Sequence, residues 1–195
     1  MTVPRLASRA AVWLAVFVIA IGTVAVALYA GLFDVAADVP HSKPVYAVLE
    51  LIRERSIIAR ARDIRAPDDL ADARRVASGA GLYKEMCSGC HLAPGMKPTA
   101  MSQGLYPKAP SLITKHDHTT AARQFWVIKH GIKMTAMPAW GVTHSDEMIW
   151  DMVAFIRRLP SLSAEDYKAA TAEESRGHDR QMPERRTRPD EPKRN

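Results

Sequence analysis

Apolar and polar positions change period three times along this chain. From Ala10 to Phe33 there is no alternation at all: AAVWLAVFVIAIGTVAVALYAGLF runs for 24 residues without a charge. As a helix rising ~1.5 Å per residue it covers ~36 Å, enough for a hydrocarbon core of ~30 Å with room for tilt. A membrane-spanning helix is the expectation. A cleaved signal peptide competes, with small residues in DVAA ahead of Asp38, but its apolar region is shorter than this one. Beyond the span, Val45, Val48, Leu49, Ile52, Ile57 and Ile58 recur at loosely helical spacing among Arg53, Arg55, Arg60, Arg62 and Arg65. This predicts a basic amphipathic helix closed off by Pro67, Asp68 and Asp69. A charged linker helix solvated on one face is expected, with a membrane surface or a partner helix as alternatives.

From Asp68 to Pro160 the period is helical and no alternating strand is seen. LADARRVASGAGLYKEM predicts a helix running into Cys87, and TTAARQFWVIKHG a second that stops at Gly131. THSDEMIWDMVAFIRRLP predicts a third: Thr143 with Asp146 reads as a capping box, Arg157 and Arg158 suit the negative end, and Pro160 bars continuation. Met148, Met152, Phe155, Ile156 and Leu159 form its expected buried stripe. Long loops separate these helices, above all HLAPGMKPTAMSQGLYPKAPSL, which needs something to organise it. After Pro160, SLSAEDYKAATAEE predicts a short helix capped by Ser163. The remainder is too polar to fold. The expected division is a cytoplasmic N-terminus (1–9), an anchor (10–33), a linker with the amphipathic helix (34–67), a helical domain (68–160), and a short helix with a disordered tail (161–195). The expected fold class is all-α with one N-terminal transmembrane helix.

Charge adds little to this picture. Basic residues exceed acidic ones by three before residue 67 and by three over 67–160, and the two balance after that, so the net +6 is spread without a block. A nucleic-acid binder would concentrate it on one reading element, and none is present. Arg5 and Arg9 precede the apolar span while Asp34 and Asp38 follow it. By the positive-inside rule the N-terminus stays in the cytoplasm and the rest of the chain lies outside.

The chemistry is carried by EMCSGCHLAPG. Cys87 and Cys90 are the only cysteines in the chain, with His91 directly behind. A redox dithiol would want strands alternating with helices, and a zinc site would want a second tight ligand pair, for which only His116 and His118 offer themselves. Covalent haem attachment needs two thiols on adjacent turns and the next residue's imidazole under the iron, which Cys-x-x-Cys-His supplies. Haem c, one per chain, is the expected cofactor, with His91 as one iron ligand. For the sixth position Met96, Met101, Met134 and Met137 are candidates. Met137 is chosen because it lies beyond the second helix, Pro138 stiffens the backbone behind it and Trp140 can seal the pocket. A bis-histidine arrangement through His116, His118 or His130 is the alternative.

GAGLYKEMCSGCH, APSL, GIKMTAMPAWG and DEMIWDMVAFIRRLP, in that order over roughly residues 69–160, resemble the class I cytochromes c. The haem domain is similar to those of cbb3-type oxidase c subunits and of bacterial membrane-anchored mono-haem proteins. The resemblance implies three main helices around the haem, with Gly79 and Tyr83 meeting Phe155 and Met152 where the first helix crosses the last. It also implies that the Pro110 carbonyl accepts a hydrogen bond from His91, leaving the other ring nitrogen for iron. The segment from His91 to Pro110 is longer than in small soluble members. The resemblance does not fix the places of Trp126, Trp140 and Trp150, for which packing is expected.

A haem ligated by His91 and Met137 has no open position. An electron carrier between respiratory redox partners is therefore expected rather than an enzyme, without a small organic substrate or a nucleic acid. Lys97, Lys108, Lys129 and Lys133 could form a basic docking rim. The alternatives are a haem enzyme or gas sensor with an open sixth position, or an electron-transfer subunit of a larger respiratory complex. The expected location is the bacterial cytoplasmic membrane, single-pass, with the haem domain periplasmic.

Overall fold

A computed structural model describes residues 3–114 and 119–172, with side chains described from Arg9 onward. Among the described residues there are helices and turns and no strands. The class I cytochrome c architecture expected from sequence holds, preceded by one apolar helix. The His116 and His118 alternatives and the polar tail from residue 173 lie outside the described residues. The chain divides into two units, residues 1–39 and 40–195.

The first unit is helix α1, Val3–Tyr29. Its stretch Arg9–Tyr29 is 21 residues long, apolar enough to cross a membrane, and has none of its surface buried within the chain. Thr23 returns its hydroxyl to the Ile19 carbonyl at 2.9 Å, so the span's polar side chain is satisfied within the helix. That is the arrangement hydrocarbon surroundings demand.

In the second unit α2 is Lys43–Ala61, α3 is Ala73–Met86, α4 is Ser88–His91, α5 is Ala100–Gly104, α6 is Ala121–His130, α7 is Asp146–Arg158 and α8 is Ala164–Ala172. The caps explain most of the boundaries. Asp72 accepts the Arg74 amide at the start of α3, and Thr120 accepts the Arg123 amide at the start of α6. Gly131, at φ +64°, ends α6 as the sequence predicted. Ser163 and Asp166 bond reciprocally at the start of α8.

The capping box expected at Thr143 is corrected. Residues Trp140–Val142 form a 3-10 turn, and the Thr143 hydroxyl meets His144 Nδ1 at 2.8 Å. Ser145 is the cap instead, accepting the Met148 amide. This leaves Asp146 and Glu147 in the first turn, where the helix dipole favours them.

α3 and α7 cross at the centre of the unit. A methyl group added at Gly79 would stand 2.0 Å from the Asp151 carbonyl oxygen and 2.9 Å from Phe155 Cβ. Only a residue without Cβ permits this approach. Tyr83 and Phe155, both wholly buried, close the contact with ring centroids 5.4 Å apart, and Tyr167 of α8 meets Tyr83 edge-on at 6.4 Å. At the crossing's rim Arg75 pairs with Asp69, Glu147 and Asp151, each at 2.9 Å, and Ser78 also bonds Asp151. The stripe on α7 is wider than predicted. Ile149, Trp150 and Val153 are buried beside Met152, Phe155, Ile156 and Leu159, while Met148 is half-buried. Phe125 of α6 stacks on Trp150 at 4.2 Å, and α2 in turn packs on α6, with Ile57 and Ala61 buried.

Gly79→Ala is expected to lower unfolding free energy by about 1–3 kcal/mol, as overpacking of a tight core does. Chemical denaturation of the purified chain checks this, and an unchanged midpoint would show that α3 and α7 separate without strain.

Candidate functional site

Cys87 caps α3 and opens α4 in one continuous path. Its amide bonds the Tyr83 carbonyl at 2.9 Å, and its own carbonyl accepts the amides of Cys90 at 3.1 Å and His91 at 2.9 Å. Both thiols and the imidazole are thus displayed within a single helical turn. Leu92, at φ +60°, then reverses the chain, and its carbonyl accepts the phenol of the buried Tyr83. A tyrosine at the helix crossing therefore fixes where the chain leaves the motif, a contact that sequence reasoning missed.

The two cysteines differ in environment. Cys87 is buried in the main apolar cluster, and burial, with a smaller contribution from Cys90, pushes its thiol up to about 12. A thiol so hard to ionise is poorly suited to redox dithiol work, which uses the thiolate. Cys90 is half-buried, with Sγ 3.2 Å from the sulfur of Met101 on α5. α5 is held there by Thr99, whose hydroxyl bonds the Gly89 carbonyl and which forms a capping box with Ser102. Thr99-x-x-Ser102 was a legible cap signal within the long loop. The same loop is strapped farther along by Tyr106, whose hydroxyl accepts the His41 amide at 3.0 Å while the two rings meet edge-on.

His91 Nδ1 lies 2.8 Å from the Pro110 carbonyl oxygen. A carbonyl only accepts, so Nδ1 carries the hydrogen and Nε2 keeps its lone pair. Burial pushes the imidazole below its ordinary value, and the Pro110 contact partly offsets this. The neutral ring is the form that can ligate a metal.

The methionines separate clearly. Met134 is 88% exposed at a positive φ of 58°, and Met96 is on the surface. Met137 is half-buried against the main apolar cluster, which also holds Cys87 and against which Leu112, Ile113 and Trp140 pack. Its loop is closed at the base: the Ile132 amide bonds the Met137 carbonyl at 3.1 Å, and the Thr135 hydroxyl takes the Met137 amide at 3.1 Å while donating to the Ile132 carbonyl at 2.8 Å. A Cβ at Gly131 would meet the Met137 carbonyl oxygen and the Pro138 carbonyl carbon, each at 2.7 Å. The glycine thus ends α6 and also seats the returning strand of this loop.

Of the expected basic rim one lysine is revised, while the three tryptophans pack as expected. Lys129 is engaged with Asp146 at 2.7 Å and lies over the Phe125 ring, so it ties α6 to α7; Lys97, Lys108 and Lys133 are exposed. Trp150 is core, Trp126 packs on His130 and Trp140 meets His144 edge-on. His130 is on the surface. A cleft of about 650 Å³ lined by Leu70, Val76, Ala77, Ala154, Arg157 and Arg158, among others, touches none of Cys87, Cys90, His91, Pro110 or Met137.

The donor set fits a covalently held haem. Two thiols sit on one turn, an imidazole has one nitrogen tied and the other free, and a thioether stands in a pinned loop against the cluster that buries Cys87. Residues 74–156, somewhat under half of the chain, match the family described as cytochrome c oxidase, cbb3-type, subunit III. No curated protein and no solved structure matches the chain. Residues 74–156 are a haem domain of the cbb3-type c cytochrome kind, and the chain carries a c-type cytochrome domain involved in electron transfer.

In the haem-free chain the depressed His91 sets a pH dependence. As pH falls below the ordinary imidazole value of 6.5, the unfolded state takes up its proton before the folded state does. Folding stability should therefore decline from about pH 6.5 downward. His91→Gln is expected to flatten that decline in urea melts between pH 7 and 5, with the surface His130, lowered by partial desolvation and by Lys129, adding little to the slope.

Proposed function

We propose that this chain is a membrane-anchored, mono-haem c-type cytochrome that passes single electrons between respiratory redox proteins. Cys87 and Cys90 hold haem c through thioethers, His91 and Met137 bind the iron, and the Pro110 carbonyl orients His91. The observation that carries this reading is the His91–Pro110 hydrogen bond at the end of the Cys87–Cys90 turn: an imidazole anchored through Nδ1 presents Nε2 in a fixed direction.

Bound haem supplies a one-electron couple at iron, and His/Met ligation sets it high. The chain does the rest. The buried Cys87 and the half-buried Cys90 would hold the group through their two sulfurs. Tyr83 and Leu92 fix the exit of the attachment turn, and Thr135 with Gly131 hold the Met137 loop in shape. His91 and Met137 would together hold the iron and leave no place on it for small ligands, which would suit transfer rather than turnover.

α1 is the proposed anchor. Arg5 and Arg9 on its N-terminal side and Asp34 and Asp38 beyond it favour a cytoplasmic N-terminus and a periplasmic haem domain. The family matched by residues 74–156 makes membership of a terminal oxidase assembly a second form of the same electron-transfer role.

Expression in a host competent for c-type maturation should yield pigment that stays with the denatured protein after acid extraction, and Cys87→Ser with Cys90→Ser should release it. The ferric protein should be low-spin with a methionine-to-iron charge-transfer band. Met137→Ala should lose that band and become high-spin with pigment retained, whereas Met134→Ala should change neither. A high-spin unsubstituted protein would instead assign an open sixth position and overturn the carrier reading.

A further inference from the structure

Exposed apolar surface in the second unit is concentrated on one helix. Among its described residues ten large apolar side chains are exposed, and seven of them are on α2: Val45, Tyr46, Val48, Leu49, Leu51, Ile52 and Ile58. Val48 and Ile52 are 55% and 60% exposed. At ~100° per residue, Val45, Val48, Leu49, Leu51, Ile52 and Ile58 fall on about half the circumference of the helix. Ile57 and Ala61, which are buried as α2 packs on α6, fall on the other half. So large an apolar stripe on an otherwise well-packed unit marks a contact surface.

Charge is sorted in the same sense. Glu50 and Glu54 lie on the half that carries Ile57, and both are within reach of Arg53. Arg55 and Arg62 fall inside the apolar half and Arg60 at its edge, all three exposed. Their long stems can lie along apolar surface while the guanidinium groups reach outward. An apolar half that carries Arg55 and Arg62, with Arg60 at its edge and Glu50 and Glu54 on the opposite half, is complementary to an anionic lipid surface. Arg62 is also paired to the exposed Asp63 at 3.0 Å. The chain also brings such a surface within reach, since only thirteen residues lie between the end of α1 and the start of α2.

We propose that α2 is an interfacial helix that lies on the anionic bilayer spanned by α1, with Val45, Val48, Leu49 and Ile52 at the acyl boundary and Arg55, Arg60 and Arg62 among the headgroups. This rests on the reading of α1 as a membrane anchor. It takes up the membrane-surface alternative in place of the solvated linker that the sequence pattern led to expect. Because α2 packs on α6, its seat on the lipid would also set how the haem domain is presented to membrane partners.

The full haem-loaded chain, reconstituted in phosphatidylglycerol-containing vesicles, tests this. With Cys87 and Cys90 consumed by haem, a single nitroxide can be placed at Ile52→Cys or, as a control on the other half of the helix, at Glu54→Cys. In the reduced protein, the ratio of oxygen to water-soluble nickel collision rates should be several-fold higher at position 52 than at 54. Arg55→Glu with Arg62→Glu should bring the two ratios together. Equal ratios in protein that floats with the vesicles would overturn the α2 proposal while leaving the anchor intact. Shielding of position 52 from both reagents would overturn it in favour of a protein partner. Protein that fails to float would remove the anchor, and this proposal with it.

Discussion

The second unit depends on one close approach. Gly79 lets the backbone of α3 come against the Asp151 carbonyl of α7, at a separation no side chain could share. Tyr83, one turn further along α3, can then be wholly buried against Phe155 and still reach the Leu92 carbonyl with its hydroxyl. The same residue thus belongs to the core and to the exit of the attachment turn. Because Cys87 follows Tyr83 by a single turn and bonds its carbonyl, the display of both thiols is inherited from the helix crossing. Packing and chemistry share one element here, and a change at the crossing would be felt at the motif.

Away from the crossing, order comes from local polar closures rather than from apolar mass. The Met137 loop is shaped by Thr135, Ile132 and the space left at Gly131. The long segment after His91 is divided by α5, which Thr99 and Ser102 cap, and is fastened by Tyr106. A domain with so modest a core gains from such devices, because each fixes a loop without needing a larger hydrophobic interior. They also leave side chains of contrasting exposure on one loop: Met134 is at the surface and Met137 is against the core, three residues apart.

Much of this was legible in the sequence. An apolar run of 24 residues permits few structures, and the helices between 68 and 160 carry strong periods with Gly131 and Pro160 as punctuation. Local competition was less visible. Thr143 and Ser145 both precede α7 with the right chemistry for a cap, and the 3-10 turn at 140–142, which no pattern announces, decided for Ser145. Lys129 looked like a surface cation because a sequence shows no partner seventeen residues away, yet Asp146 stands beside it. The approach of Pro110 to His91 crosses a loop without periodicity, so only the family resemblance suggested it. The packing of α2 on α6 was hidden for a different reason: two buried residues, Ile57 and Ala61, make too faint a stripe to separate from the larger apolar pattern around them.

The bond from the His41 amide to Tyr106 has a consequence for traffic between proteins. It fastens the chain to the haem domain at residue 41, so the free leash from Tyr29 is only the stretch 30–40. Eleven residues reach no more than about 40 Å when fully extended. If α1 is the anchor proposed above, a leash of this length would keep the domain close to the membrane and to any partner carried there. Its effective concentration would then be high without any strong affinity. Weak, rapidly released encounters would suffice, and turnover between partners would be freed from the slow dissociation that tight docking imposes.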